Sequence, residues 1–405
     1  MKPKQQLVVI GNGMAGMRTI EELLSVSPDQ YEITVFGTEP YGEYNRIMLS
    51  AILSGDKPVE DIIIKPRQWY VENKIKFHAG EKKAVARIER GYKKVIAIDG
   101  TTASYDRLLI ATGSKAISPK VDGHNLDGVI SFRHIMDVNK ILDYSRTHKK
   151  VVVLGGSLLG LETAYGLALH GMEVTVVHSH QMLLNRQLDK TAATLLQNEL
   201  EQRGIVFKMS AKLKALIGNE NKHIIAAQFE DKSELACDLF ITAIGIEPNI
   251  TLAKEAGLYC ERGIVVNDTL QTYDPSIYAV GECIQHRGAT FELAAPLFEQ
   301  AKVCASRLSK NGVAEYITLP TATKLKVAGI QLFSIGDFLG DDESESITFS
   351  NPALGIYKKL VLKTHRLIGA ILYGDTTDSG WYQELLEQKM SVSTLKDKLI
   401  FGKDY

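Results

Sequence analysis

The 405-residue chain has only four cysteines, Cys237, Cys260, Cys283 and Cys304, each more than twenty positions from the next. That excludes a C-x-x-C pair and any cysteine-based metal spacing, so no metal site is expected and the thiols read as free in a reducing compartment. A net charge of -1 leaves no basic footprint for nucleic acid. The apolar runs are all far too short to cross a bilayer, and MKPKQQ at the start leads straight into a strand rather than a signal peptide. Nucleic acid and membrane are therefore not expected as partners, and a cytoplasmic location is. With 45% hydrophobic and 23% charged residues, the chain has the composition of a globular protein, long enough for two or three domains.

Against these absences stands a duplication. A short apolar strand runs into a glycine-rich turn and then a helix at Leu7 to Gly16 (LVVIGNGMAG), and again at Val151 to Gly160 (VVVLGGSLLG). A further strand follows each, at Glu32 to Phe36 and Glu173 to Val177. This is the context in which G-x-G-x-x-G marks a dinucleotide site. Gly11 allows the tight turn, Gly13 the close approach of a pyrophosphate and Gly16 the packing of helix on strand, while the helix N-terminus offers free N–H groups to phosphate. Two such units imply two dinucleotides.

The order of elements implies an α/β fold with two Rossmann-like domains, one inserted in the other, plus a C-terminal α+β lobe. An apolar strand ending Ala111-Thr112-Gly113 (YDRLLIATG) has its match, CDLFITAIG ending at Gly245, only after the second unit. The expected divisions are 1–116 and 246–319 for the first domain, 117–245 for the second and 320–405 for the lobe. Strands near Ile75 to Phe77, Ala84 to Glu89 and Val95 to Ile98 read as a meander, and a helix is expected to begin at Pro296. Asp341 to Glu345 reads as a solvated acidic loop.

Together the two turns, the YDRLLIATG strand and IYAVGE around Gly281 resemble the two-dinucleotide flavoprotein reductases, which use FAD and a nicotinamide cofactor. More specifically, EPYGEYNRIMLS from Glu39, VGECIQHRG from Val280, APLFEQA from Ala295 and TKLKVAG from Thr323 resemble the N-terminal flavin module of the large subunit of assimilatory NAD(P)H nitrite reductase. In that family the chain continues into cysteine-bearing cluster and siroheme regions, whereas this sequence stops at Tyr405, so electron supply rather than nitrite reduction is expected of it. Tyr41 to Ser54 contains no cysteine, which removes the thiol a disulfide-reducing flavoprotein needs beside its flavin.

The resemblance implies roles residue by residue. Gly11, Gly13, Ala15, Gly16, Ala111, Thr112, Gly113, Gly281 and Glu282 would hold FAD, with Glu39, 23 positions after Gly16, on the ribose. Ala295 and Pro296 would open a helix aimed at the flavin, whose dipole would stabilise negative charge there. Gly155, Gly156, Ser157, Leu159, Gly160 and Gly245 would hold the nicotinamide nucleotide, with Ser157 standing where glycine is usual. His178 stands at the strand end where an acid would select NADH through the ribose 2'-hydroxyl. His180 and Arg186 suit a 2'-phosphate, yet the resemblance favours NADH, with NADPH possible. Glu162 is the candidate carboxylate near the nicotinamide and flavin. The lysine that relatives pair with it is Ala51 here, which leaves Arg46, then Lys65, as the cation near the isoalloxazine ring.

Three readings compete. The first is an FAD-dependent NAD(P)H oxidoreductase feeding a metalloprotein such as a nitrite reductase component, with Lys324 and Lys326 on a docking strand. A rubredoxin or ferredoxin reductase differs only in the acceptor. A flavin-binding redox sensor or interaction module with little turnover is the alternative of another class. A homodimer is open in all three.

Overall fold

In the computed structural model, which describes residues 4–309, 312–318 and 322–404, each glycine-rich turn follows the central strand of a five-stranded parallel sheet. The first sheet runs Ile277–Ala279, Arg107–Ile110, Gln5–Ile10, Tyr31–Gly37, Lys76–Ala79. The second runs Val129–Ser131, Leu239–Thr242, Lys150–Leu154, Glu173–Val177, Val206–Lys208. Leu7 to Ile10 and Val151 to Leu154 are all buried, because central parallel strands are covered on both faces and so read as continuous apolar runs. Helices Met14–Val26 and Leu158–Leu169 leave the two turns.

The chain divides into two compact units. One comprises Met1–Leu49, Lys57–Ala116 and Ile246–Leu319; the other comprises Ser50–Asp56, Ile117–Gly245 and Pro320–Tyr405. In the first, the returning segment supplies the edge strand Ile277–Ala279 and the helix Ala294–Leu308. In the second, an antiparallel five-stranded sheet from Thr323–Val327 to Arg366–Tyr373, with the helix Ser379–Glu387 against it, buries its own core around Phe333, Leu360, Leu372 and Tyr382. Rather than standing apart, this lobe joins the second nucleotide fold within the unit. The Tyr357 hydroxyl donates to Asp189 at 2.7 Å, and the Arg203 guanidinium donates to the Ala328 carbonyl.

Two local expectations change. Lys76–Ala79 is no part of a meander but pairs in parallel with Tyr31–Gly37; the meander is Val85–Glu89, Lys94–Ala97 and Thr102–Ser104. A four-residue strand carries no mark of its partner in its own pattern. The late helix begins at Ala294, so Pro296 is its third residue. Its missing N–H still falls within the first turn, where no intrahelical acceptor exists.

Candidate functional site

In the first unit two of the three motif glycines are demanded by the fold. A Cβ on Gly11, whose φ is +113°, would stand 2.0 Å from the Ala111 carbonyl oxygen, and one on Gly16 2.9 Å from Ala111 Cβ. Gly13 differs: its φ is -94°, open to any residue, and a Cβ there would meet no atom within 4 Å. Neither backbone nor packing within the protein explains glycine at this position. It lies at the N-cap of Met14–Val26, with no side chain capping the first turn, so the amides and the open face together make a cradle that fits a pyrophosphate.

Glu39 lies in the loop after the strand Tyr31–Gly37. Glu39 accepts from the Tyr44 hydroxyl at 2.9 Å and from Arg46 Nη2 at 3.0 Å, and the Arg46 guanidinium lies over the Tyr44 ring. Arg46, expected near the flavin ring, is thus paired with Glu39. Sequence reasoning passed over the residues that hold this loop. Asn12, inside the glycine turn, donates to the Tyr41 carbonyl at 3.3 Å and accepts from the Tyr70 hydroxyl at 2.6 Å, which in turn accepts the Glu43 N–H. Lys65 is buried in an ion pair with Glu43 at 3.0 Å, and burial raises the Glu43 carboxyl above its ordinary range. Lys65 is committed to that pair.

Glu282 lies beside the Ala111-Thr112-Gly113 strand end, where Ser114 donates to it at 2.7 Å and Gly113 takes a φ of +64°. Thr112 donates to the Asn249 carbonyl at 2.8 Å, which ties this end to the returning segment. Gly281, with φ +95°, approaches Ala15, and its N–H donates at 2.8 Å to Gln300, a fully buried side chain on Ala294–Leu308. Only its polarity within an otherwise apolar face marks Gln300 in the sequence. Ala295 and Pro296 lie in the first turn of that helix, which no side chain caps.

The second unit repeats the construction. A Cβ on Gly155 would stand 2.2 Å from the Ala243 carbonyl oxygen, and one on Gly160 2.0 Å from that of Gly155. Ser157 has the backbone conformation of Gly13, φ -84° against -94°. Its hydroxyl donates to Ala243 at 3.1 Å rather than capping the helix. The first-turn amides beside Leu158 and Leu159 are therefore left without a side-chain cap. The carbonyl of Gly245, whose φ is +119°, accepts the Ile117 N–H at 3.0 Å. Glu162 lies on the first turn and a half of Leu158–Leu169; burial pushes its carboxyl up to about 7, opposed by a hydrogen bond with Ser50. His178 Nδ1 accepts the Gly156 N–H at 3.1 Å, and His180 is exposed.

Comparison with known proteins follows this geometry. Residues 5–305 match the pyridine nucleotide-disulphide oxidoreductase family, and residues 321–390 match the rubredoxin NAD+ reductase C-terminal domain. The chain is 42% identical over 390 residues, 96% of its length, to a nitrite reductase [NAD(P)H] of Bacillus subtilis. It is 40% identical over 397 residues to an assimilatory nitrate reductase electron transfer subunit of the same organism. It spans about half of each of these proteins, 48% and 51%. A ferredoxin reductase from Rhodopseudomonas palustris superposes with a TM-score of 0.86 at 23% identity, covering 96% of both chains, and shows the shared fold. With both glycine turns and most of the interrupted first unit inside the matched 5–305, the chain belongs to the pyridine nucleotide-disulphide oxidoreductase family.

Proposed function

We propose that the protein is an FAD-dependent NAD(P)H oxidoreductase that passes electrons to a metalloprotein acceptor in nitrite or nitrate assimilation. The observation that carries this reading is the open, uncapped helix start at Gly13, where an added Cβ would meet no protein atom within 4 Å, together with the same backbone conformation and uncapped helix start at Ser157. The first unit would hold FAD: amides after Gly13 on the pyrophosphate, Glu39 on the ribose, Glu282 beside the Thr112-Gly113 strand end. The second would hold the nicotinamide nucleotide on the amides after Ser157. Bound FAD would supply the conversion from a two-electron donor to a one-electron acceptor. The chain contributes orientation and fixed dipoles, and no acid-base triad is required.

The acceptor face we assign to the C-terminal lobe. Lys324 and Lys326 are exposed on Thr323–Val327 and alternate with half-buried Leu325 and buried Val327, which places both cations on one strand face. The match of residues 321–390 favours a rubredoxin as the second candidate acceptor. Free cysteines and, among the described residues, no helix able to cross a membrane support placing this activity in the cytoplasm. The test is anaerobic: the purified yellow protein is mixed with NADH or NADPH, the flavin absorbance is followed, and rubredoxin, ferredoxin or a nitrite reductase component is then offered. Rapid bleaching followed by acceptor reduction is the expected result. Bleaching slower than minutes would point instead to a redox sensor or binding module.

A further inference from the structure

The two nucleotide folds correspond residue by residue through their strand registers. Ile10, just before Gly11, pairs with Phe36, and Leu154, just before Gly155, pairs with Val177. The Gly11 and Gly155 amides donate to those same partners, Phe36 and Val177, each at 2.8 Å. Counting on from there, Gly37 corresponds to His178, Thr38 to Ser179 and Glu39 to His180.

The space between turn and strand end is filled in opposite ways. In the first unit Asn12 of the turn fills it and the strand residue is Gly37, where an added Cβ would stand 2.9 Å from Asn12 Cβ. In the second the strand residue His178 fills it and the turn residue is Gly156, where an added Cβ would stand 2.8 Å from His178 Cγ. His178 Nδ1 is occupied by the Gly156 N–H and so carries no proton, while Nε2 is buried. Burial and the neighbouring His180 hold the ring below the ordinary histidine range. Such a ring offers a ribose hydroxyl no acceptor and a phosphate no charge. His180, two residues on, is exposed, with its backbone fixed by the Ser210 N–H.

We propose that His178 is a positioning residue that holds the glycine turn of the second nucleotide site, and that His180, the counterpart of Glu39, distinguishes a ribose 2'-hydroxyl from a 2'-phosphate. This rests on the reading of the second unit as the NAD(P)H site. It transfers to His180 the discrimination that strand-end counting assigns to His178.

The test is the kcat/KM of the FAD-loaded enzyme for NADH and for NADPH, with ferricyanide as acceptor, in His178→Leu, His178→Asn and His180→Glu. His178→Leu removes the acceptor and raises both KM values in parallel, leaving their ratio within about threefold. His178→Asn, which keeps a side-chain oxygen for the Gly156 N–H, recovers most of that loss. His180→Glu shifts the ratio toward NADH by about tenfold or more, a change of about 1.4 kcal/mol, through a new acceptor for the ribose and repulsion of the phosphate. A ratio that moves tenfold in either His178 variant, or holds still in His180→Glu, overturns the assignment while leaving the enzyme reading intact. Wild-type flavin that neither nicotinamide reduces would remove the reading beneath it.

Discussion

Arg46 Nη2 stands 3.0 Å from Glu39 Oε1, and the Tyr44 hydroxyl donates to the same carboxylate at 2.9 Å. Both charged side chains are half-buried or better, at 25% and 15% exposure, so the pair is screened less than a surface ion pair and orients the carboxylate before any ligand arrives. Arg46→Met should therefore weaken FAD binding by about tenfold, on the order of 1.4 kcal/mol. Once the flavin site is saturated, the rate of flavin reduction should change little. Titration of apoprotein with FAD and stopped-flow reduction of the holoenzyme separate the two. A slow holoenzyme with unchanged FAD affinity would return Arg46 to the flavin ring.

Gly13 and Gly11 should fail in different ways. Gly13→Val meets no protein atom near its Cβ and adopts an ordinary backbone, so the variant should fold with native circular dichroism and purify colourless. Gly11→Val collides with the Ala111 carbonyl and is strained at φ +113°, so it should lose the first unit altogether. Stoichiometric FAD on folded Gly13→Val would remove the cradle.

The duplicated folds are legible in the sequence because each element announces itself: an apolar strand, a glycine at each close approach and a helix without caps. Gly11, Gly16, Gly155 and Gly160 take the positions their spacing implies. What the sequence conceals is pairing. Arg46 reaches Glu39 across a loop with no periodicity, Lys65 finds Glu43 only once their short strands pair, and Lys76–Ala79 chooses the sheet over the meander. His178 shows the same limit, since a strand-end residue can face a ligand or fill the space under the turn, and only Gly156 opposite it decides.

The family's name includes disulphides, yet the four cysteines here are free thiols. Cys237, Cys283 and Cys304 are buried, and burial pushes the Cys237 thiol up to about 12, the Cys283 thiol up to about 11, and raises Cys260 and Cys304 as well. A thiol held protonated is a poor nucleophile. Replacing all four with alanine should leave flavin reduction within a few-fold and lower thermal stability through the three buried sites. The wild type should show negligible glutathione or lipoamide disulfide reduction. A rate loss of ~100-fold, about 2.7 kcal/mol of barrier, would establish a thiol in the reaction.

Glu162 carries a pH signature whose sign can be worked out. Burial raises its carboxyl from 4.5 to about 7 in the folded chain, with the Ser50 hydrogen bond opposing. Below the unfolded value both states are protonated and its contribution to stability is complete. Between 4.5 and about 7 the unfolded chain ionises while the folded chain keeps its proton, so stability falls as pH rises, by at most about 1.4 kcal/mol per pH unit. Above the folded value the dependence ends. Glu162→Gln is neutral throughout and lacks this fall, so its urea midpoint should gain on the wild type as pH rises through that window and then hold a constant lead. Measured from about pH 4 to about pH 8, two parallel curves would show that the carboxyl is solvated in the folded chain. A gap that widens only above the window would assign the titration to another group.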